Sequence, residues 1–272
     1  MDTKTMIAAL ALLLLVVPNV AAQEEGTADA AALAQQIQNP LASLVSLPLQ
    51  ANYNLGLGEY DRTFYNLNVQ PVIPYSLNED LNLITRTIIP VNSVPVGQTQ
   101  STFGIGDTSF SLFFSPVSKG SVTWGVGPAF TIPTASNPQV LGSDKLSLGP
   151  TGVLFASLGK WTMGAVASNV WSVAGSADRD DVNFFFAQWF VNYNIGKGWA
   201  IGTAPIVTAN WKAESGNQWT VPWGLQISKV THFGNRPVNL LLGYYRNSKH
   251  PEGGADSQVR FQLNLLFPQK PN

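Results

Sequence analysis

Apolar and polar side chains alternate along most of this chain. Near the C-terminal end, Val259, Phe261, Leu263 and Leu265 are each separated by one polar residue. Alternation with a period of two places apolar side chains on one face of a β-strand and polar side chains on the other. The pattern recurs from residue 49 onward and predicts twelve strands. These cover residues 49–57, 62–77, 81–91, 102–117, 121–134, 145–158, 161–173, 182–195, 199–213, 218–231, 236–247 and 257–267.

The connections between these strands alternate in length. Every second connection is short, at residues 78–80, 118–120, 159–160, 196–198 and 234–236. The others are mostly longer, at residues 92–101, 135–144, 175–181 and 247–256. Short periplasmic turns opposite long outer loops are typical of bacterial transmembrane barrels. The predicted fold class is all-β, an antiparallel transmembrane β-barrel of about twelve strands in which the last strand pairs with the first.

Prolines interrupt the alternating pattern inside the predicted strands. A proline has no backbone N–H to donate, so within sheets it is normally confined to edges or bulges. We therefore expect bulges or broken pairing near Pro71, Pro74, Pro90, Pro128, Pro150, Pro205 and Pro222.

The first 45 residues differ from the rest. Residues 1–22 combine Lys4, an apolar run and small residues before Gln23, which is the pattern of a secretory signal peptide. Residues 23–45 are predicted to form a periplasmic segment with a short helix in the Ala-rich stretch 28–38. This segment either packs in the barrel or forms a free tail. The barrel then occupies residues 46–268, and residues 269–272 form a short tail.

The composition favours a membrane location. Charged residues make up 11% of the 272 residues, against about 25% in typical soluble proteins. A protein so poor in charge has difficulty covering a fully hydrated surface. The formal net charge of −1 argues against nucleic acid as a partner. The chain has no cysteine, so a disulfide framework is excluded.

A series of short motifs resembles one family of Gram-negative outer-membrane proteins. The motifs are residues 68–74 (NVQPVIP), 83–87 (LITRT), 104–107 (GIGD), 113–116 (FFSP), 124–128 (WGVGP), 132–134 (IPT), 149–150 (GP), 191–194 (VNYN), 208–211 (TANW), 220–222 (TVP), 237–239 (PVN) and 261–268 (FQLNLLFP). The resemblance covers about residues 39–268. Through these motifs the chain resembles the family named after the meta-pathway of phenol degradation. Members of that family are labelled transporter or, misleadingly, neuromedin U.

The resemblance implies a barrel in the bacterial outer membrane that takes part in the passage of hydrophobic or aromatic compounds. It supplies no catalytic residues. The implied partners are outer-membrane lipid, the barrel assembly machinery and a small solute of unknown identity. Such barrels typically end on an aromatic residue that the assembly machinery reads. Here that residue is Phe267, although residues 268–272 follow it.

The sequence contains few residues that are suited to catalysis. A hydroxyl nucleophile needs a base within hydrogen-bond reach, and the only histidines are His232, near a predicted periplasmic turn, and His250, in a predicted outer loop. Neither has the cysteine or spaced histidine partner of a zinc site. The acidic run at residues 178–181 lacks the spacing of a calcium-binding loop. We predict no catalytic residue, no cofactor and no metal.

Strand parity predicts which polar side chains face the barrel interior. Amides and hydroxyls can line water, and the charged members can pair across the lumen. Twelve strands lie between the ~8 whose interior is filled by side chains and the ~16 of open porins, so a narrow or plugged lumen is expected. The predicted lumen residues are Asn66, Asn68, Gln70, Asn82, Arg86, Asp107, Ser109, Ser111, Asn210, Lys212, Gln226, Asn239, Arg260, Gln262 and Asn264.

The function predicted from these observations is an outer-membrane channel or transporter for small solutes, with aromatic or hydrophobic cargo implied by the resemblance. One alternative is a structural or surface-interaction barrel with an occluded lumen. Another is a lipid-active outer-membrane enzyme. Phe184, Phe186 and Phe190 share the parity of Gln188, so they form an apolar inner patch unless a change of register turns them to lipid.

Overall fold

The computed structural model describes residues 38–42, 44–118, 120–234 and 236–267. The predicted signal peptide and C-terminal tail lie outside the described residues, as does the predicted helix except for Gln38. Within the described residues, no helix has the length and hydropathy needed to cross a membrane.

The described chain forms one antiparallel sheet of fifteen strand segments. In chain order these are β1 (Val45–Leu57), β2 (Arg62–Val69), β3 (Val72–Ser76), β4 (Leu81–Val96), β5 (Gln100–Ile105), β6 (Thr108–Pro116), β7 (Val122–Ile132), β8 (Lys145–Leu158), β9 (Trp161–Gly175), β10 (Asn183–Gly196), β11 (Trp199–Thr203), β12 (Ile206–Asn210), β13 (Trp219–Phe233), β14 (Arg236–Lys249) and β15 (Ser257–Phe267), with a four-residue helix α1 (Pro138–Leu141) between β7 and β8.

The sheet closes on itself. Strand β15 pairs with β14 on one side and with β1 on the other, where the register runs from Val45 opposite Phe267 to Leu55 opposite Ser257. The segment pairs β2/β3, β5/β6 and β11/β12 are each one barrel strand with an interruption. The fifteen segments therefore make twelve barrel strands, which confirms the predicted closed antiparallel barrel.

The two ends of the barrel differ. We call the end carrying connections 77–80, 117–121, 159–160, 197–198 and 234–235 the turn end, and the end carrying connections 58–61, 97–99, 133–144, 176–182, 211–218 and 250–256 the loop end. The predicted loop at residues 92–101 is wrong. There β4 and β5 continue to a three-residue turn in which Gly97 has a φ of 62°. The Arg62 guanidinium donates to the carbonyls of Gly97 and Gln100 and so ties this hairpin to its neighbour.

Two other boundaries are corrected. Strand β1 begins at Val45, four residues before the predicted start, because Val45 to Pro48 pair with β15. Strand β12 ends at Asn210, three residues before the predicted end. The side-chain oxygen of Asn210 accepts a hydrogen bond from the backbone N–H of Lys212 at 3.1 Å and turns the chain out of the sheet.

Most in-strand prolines coincide with lapses in pairing. Pairing lapses at residues 70–71 and 204–205, and the register between β13 and β14 shifts at Pro222. The third interruption, at residues 106–107, lies opposite Pro90, whose carbonyl accepts the Gly106 N–H at 2.8 Å. Pro74 is the exception: it keeps regular register with β4. It lies beyond the start of β1, where no ladder partner requires its missing donor.

Pro128 and Pro150 face each other in register between β7 and β8. On their far sides, neither proline has a paired residue in β6 or β9. The two residues that lack a backbone N–H donor therefore lie side by side in the barrel wall, because proline has no N–H to donate to a ladder.

The barrel exterior is apolar at mid-height and aromatic at both ends. Leu225 is 66% exposed and Val126 is 53% exposed near the middle of their strands. At the turn end, the Trp161 and Tyr193 rings lie 4.8 Å apart, and such aromatic girdles are typical of the membrane interface. An aromatic group also occurs at the loop end, where the Trp211 and Trp219 rings lie 5.2 Å apart.

One polar residue on this exterior has a local explanation. Asn169 shares the outward parity of Trp171, which is 44% exposed. Its amide oxygen accepts the Trp211 indole N–H at 2.8 Å, and its amide nitrogen donates to Asn183 at 2.9 Å. The amide is therefore satisfied within the aromatic group at the loop end.

Substituting Leu225 by Arg tests which face meets lipid. A cation at the middle of a lipid-facing strand lowers barrel stability by about 2–4 kcal/mol. We expect a loss of this size in the free energy of unfolding, measured by urea titration in phospholipid vesicles. The matched control is Gln262→Arg, at the middle of a strand but lining the interior. Equal losses for the two variants would contradict the assignment of faces.

Candidate functional site in the barrel lumen

Residues 38–42 and 44 lie inside the barrel at its turn end, and we call them the lumen segment. Leu41 is 7% exposed and packs in a cluster with Ile84, Phe113 and Val153. Burying a leucine side chain contributes about 1.5–3 kcal/mol. This part of the predicted N-terminal segment therefore packs in the lumen and is not a free tail.

Polar contacts fix the lumen segment to the ends of three strands. The Gln38 amide nitrogen donates to Asn194 at 3.0 Å, and the Thr162 hydroxyl donates to the Gln38 amide oxygen. The Asn39 side-chain oxygen accepts from the Thr123 hydroxyl at 3.4 Å. Asn194, Thr162 and Thr123 belong to β10, β9 and β7, at their turn ends. The segment therefore narrows the turn end of the lumen.

A cavity of about 220 Å³ borders the lumen segment, and we call it the lumen cavity. It is bounded by the lumen segment and by inward side chains of strands around the barrel. Seven of the residues predicted from strand parity line it: Gln70, Arg86, Gln226, Asn239, Arg260, Gln262 and Asn264.

One wall of the lumen cavity is apolar. Phe113, Val153, Val166 and Phe190 line it from β6, β8, β9 and β10. The Phe190 ring lies 6.2 Å from that of Phe155. The register of β10 is thus the one that turns this phenylalanine inward. Of the two alternatives for this strand, an inner apolar patch or a register that turns the phenylalanines to lipid, the position of Phe190 agrees with the first.

The interruption between β11 and β12 anchors Arg260. Its Nη1 donates to the carbonyl oxygen of Ala204 at 2.8 Å, immediately before Pro205. Its Nε and Nη2 donate to the Gln258 amide oxygen at 3.2 and 2.9 Å. The guanidinium carbon lies 4.6 Å from the centre of the Tyr245 ring, within the range of a cation–π contact. All of these partners are neutral, so the arginine is held without a counter-charge.

Tyr245 also forms hydrogen bonds at the same interruption. Its hydroxyl accepts the Ala204 N–H at 3.2 Å and donates to the Gln226 amide oxygen at 2.7 Å. The Gln226 amide nitrogen donates in turn to Asn192 at 3.1 Å. Tyr245 is 1% exposed. The N–H and the carbonyl of Ala204, which leave the ladder at this break, are therefore satisfied by side chains of the lumen.

The interruption between β2 and β3 holds the second arginine, here through a side chain. Gln70, which precedes Pro71, accepts a hydrogen bond from the Arg86 Nη2 at 2.9 Å. The backbone N–H of Gln70 donates to the Pro48 carbonyl at 2.9 Å, and the Pro71 carbonyl accepts the Thr87 N–H at 3.1 Å. Each of the two lumen arginines is thus bonded to the residue that precedes a proline break.

Amide side chains form a continuous ladder on the wall between the two arginines. Asn52 donates to Asn66 at 2.8 Å, and Asn66 donates to Asn92 at 2.8 Å and to Asn68 at 3.0 Å. Arg260 joins this ladder through Asn52, at 3.3 Å from its Nε. The predicted lumen residues Asn66 and Asn68 therefore bond mainly to other wall amides and do not line the cavity.

A second cavity, of about 510 Å³, opens at the loop end. Three of the predicted residues line it: Asp107, Ser109 and Asn210. Phe184 also lines it, at 38% exposure. This outer cavity shares no lining residue with the lumen cavity.

Asp107 lies at the third strand interruption and organises the neighbouring loop. Its carboxylate accepts hydrogen bonds from the Ala135 N–H at 3.2 Å, and from the Ser143 N–H and hydroxyl at 2.7 and 2.8 Å. The Thr134 hydroxyl donates to the Gly106 carbonyl at 3.0 Å. The predicted pairing of Asp107 with Arg86 or Arg260 across the lumen is wrong, because its oxygens are used by this loop.

An ion pair lies at the rim of the outer cavity. The Lys145 Nζ is 3.5 Å from a carboxylate oxygen of Asp181. The Ser172 hydroxyl, and after it the Lys145 ammonium group, hold the pKa of the Asp181 carboxyl below its usual value. Asp181 therefore stays ionised at neutral pH, and this contact persists until the solution is more acidic than the usual range of an aspartate.

The remaining predicted lumen residues line neither cavity. Asn82 is half-buried near the turn end and has the parity of Arg86. Ser111, also half-buried, is opposite Arg86 in β6. Lys212 is exposed in the connection after β12. The prediction that Lys212 faces the lumen from a strand is wrong, because the strand ends before it.

Sequence reasoning missed several residues of the site. Gln50 and Asn52 share a parity in β1 and are both 5% exposed, so the alternation contained this signal. The role of Tyr245 had no such signal, because its inward neighbours are mixed. Gly243, two residues away, leaves room for the ring: a Cβ there would lie 2.9 Å from it. The lumen segment has no periodic pattern to reveal it.

The histidines lie apart from both cavities. The His250 Nδ1 is 2.9 Å from the Pro251 carbonyl, and its Nε2 is 3.4 Å from a carboxylate oxygen of Asp256. His232 is exposed at the turn end of β13. The described residues contain no group of three or more side chains suited to hold a metal ion.

A closed barrel with an apolar exterior, aromatic girdles and a polar lumen defines the class of outer-membrane β-barrels. No protein-family model matches this chain, and no curated protein sequence matches it. Solved structures do resemble its fold.

Two of these structures are outer-membrane pores by their descriptions. An outer membrane channel from Pseudomonas putida F1 has a TM-score of 0.59 and 14% sequence identity, with 83% of this chain and 96% of that chain covered. The NanC porin has a TM-score of 0.51 and 12% identity, with 82% of this chain and all of the porin chain covered. The fold and its apolar exterior locate the protein in the bacterial outer membrane.

Replacing Tyr245 by Phe tests the repair of the Pro205 break. The change leaves the buried Ala204 N–H and the Gln226 oxygen without their partner, and a buried group left unsatisfied costs about 1–3 kcal/mol. We expect a loss of that size in the free energy of unfolding, measured by urea titration in vesicles. Tyr244→Phe is the control, since Tyr244 is 53% exposed on the exterior. A similar small effect for both variants would show that the tyrosine hydroxyl does not support the break.

Proposed function

We propose that this protein is a passive outer-membrane channel for small solutes, with its passage narrowed at the turn end by the lumen segment. The observation that carries the proposal is the lumen cavity, whose lining combines several amides and two arginines with one apolar wall. A barrel filled only for stability would be expected to pair its inward polar groups with one another and leave no cavity between them.

Unpaired amide oxygens support a hydrated cavity. The side-chain oxygens of Asn239 and Asn264 are buried and have no hydrogen-bond partner among the described residues. The two residues face each other in register on β14 and β15, and both line the lumen cavity. Unsatisfied buried acceptors are costly, and water or a polar solute in the cavity removes that cost.

The width of the barrel suits small molecules. Twelve strands fall between the ~8 that side chains fill and the ~16 to 18 that leave a wide aqueous pore. The pores that resemble this fold are described as an outer membrane channel and a porin. That likeness adds to the support from the lumen, while the resemblance to the phenol meta-pathway family is what suggests aromatic or hydrophobic cargo.

The second candidate is a structural barrel with an occluded lumen and no enzyme chemistry. The observation that favours it is the amide ladder, whose members satisfy one another along the wall. Single-channel recording in planar bilayers separates the two candidates. The channel proposal predicts discrete conductance steps in KCl at about 1 M, a concentration at which the charges on the protein surface are largely screened. A bilayer that contains folded protein and stays silent would favour the occluded barrel.

Loosening the lumen segment is expected to widen the passage. Leu41→Gln places an amide without hydrogen-bond partners in the apolar cluster with Ile84, Phe113 and Val153. Because burying an unpaired amide is unfavourable, the lumen segment should detach from the barrel wall more often. We expect a larger mean conductance or a greater open fraction in single-channel recordings. Leu41→Met is the control, because it is apolar and nearly conserves volume. Unchanged currents in the Gln variant would mean that the segment does not narrow the passage.

A further inference from the structure

We propose that the lumen cavity selects small organic anions, binding the anionic group at Arg86 and placing an apolar body against the wall formed by Phe113, Val153, Val166 and Phe190. This inference rests on the proposed channel function and specifies its solute class.

The charges that line the lumen cavity have one sign. Arg86 and Arg260 both line it, and no aspartate or glutamate does. Among the described residues, the ion pairs are Lys145 with Asp181 and His250 with Asp256, so neither lumen arginine has a carboxylate partner. A cationic lining inside a low-dielectric wall attracts anions and repels cations.

Arg86 has donors left for a solute. A guanidinium carries five N–H donors, and within the described chain Arg86 forms one hydrogen bond, to Gln70. Arginine presents its donors as a planar fork that matches the two oxygens of a carboxylate. Arg260 differs, because its three nitrogens already donate to Ala204, Gln258 and Asn52. Arg86 is therefore the contact site, and Arg260 supplies a fixed positive charge.

The apolar wall lies where the body of such a solute would extend. Arg86 is on β4, next to β6, which carries Phe113, while Val153 on β8 lies half-way round the barrel from Arg260. A cavity of roughly 150 Å³ lined by apolar side chains holds a benzene molecule. The lumen cavity of about 220 Å³ therefore has room for a carboxylate attached to one ring.

The loop end carries acidic groups that oppose anion entry. Asp178, Asp180 and Asp181 line the outer cavity, and all three are exposed. Arg179 lies among them, and Lys145 pairs with Asp181. Exposed charges are screened over about 8 Å at physiological salt, whereas charges in a narrow lumen are screened much less. Selectivity should therefore follow the lumen arginines.

The experiment measures the reversal potential of the full-length protein in planar bilayers under a KCl gradient. For the unaltered protein we expect chloride to be favoured over potassium by roughly tenfold, the lower end of the enrichment produced by clefts of one charge sign. In Arg86→Gln this preference should fall severalfold, and in Arg86→Lys it should be largely kept. Asp178→Asn is the control for the loop end and should leave the preference nearly unchanged.

A second measurement tests the organic part of the proposal. Liposome uptake is compared for benzoate, benzyl alcohol and benzylammonium, which share a ring and differ in charge. We expect benzoate to enter fastest, and its advantage to be lost in Arg86→Gln. In Arg86→Lys the charge remains but the fork geometry does not, so an intermediate rate for benzoate is expected. Gln70 remains in each variant, so the Pro71 break keeps its backbone bonds.

The outcomes separate the two proposals. Silence of the unaltered, folded protein in bilayers would overturn the channel function itself. Conductance with equal permeability to chloride and potassium, or with potassium favoured, would leave the channel standing and overturn anion selectivity. Anion selectivity unchanged by Arg86→Gln would overturn the assignment of Arg86 as the contact site. Equal entry of benzoate and benzyl alcohol would overturn the proposed solute class.

Discussion

The hydrocarbon core of a membrane offers no water to backbone N–H and C=O groups, and the rest of this structure depends on that constraint. A closed ladder satisfies most of these groups, but the chain breaks its ladder at residues 70–71, 106–107 and 204–205. Each break is repaired by other groups of the protein. At residues 204–205 the hydrogen bonds come from Tyr245 and Arg260, and at residues 106–107 one comes from Thr134. At residues 70–71 they are backbone bonds to neighbouring strands.

The repairs give the lumen its chemical character. Arg260 is held by the carbonyl before Pro205, and Arg86 is held by the side chain before Pro71, so the two arginines that line the lumen cavity lie where the wall is irregular. Their partners are neutral, which leaves the charge available to attract a solute. Apolar side chains of β6, β8, β9 and β10 line another part of the same cavity, and Leu41 of the lumen segment packs against Phe113 and Val153 of this wall. A cationic region and an apolar region therefore face one cavity.

The alternation of side chains was sufficient to predict the barrel, its twelve strands and most of their bounds, because one face had to meet lipid. It also placed Arg86, Arg260 and five amide residues of the cavity lining on the inward face. Parity could not predict hydrogen-bond partners, so Asp107 was expected to pair with Arg86 or Arg260 and instead accepts hydrogen bonds from the loop residues Ala135 and Ser143. It also could not predict the lumen segment, whose position depends on distant contacts such as Gln38 with Asn194.

The absence of cysteine from this chain allows one direct test of a hydrated, positive lumen. A single cysteine placed at Gln262, which lines the lumen cavity, can be modified by methanethiosulfonate reagents of opposite charge in folded protein in vesicles. With rates normalised to a free thiol, we expect the anionic reagent to react roughly tenfold faster than the cationic one. Faster reaction of the cationic reagent would contradict a positive lumen, and no reaction with either reagent would contradict a hydrated one.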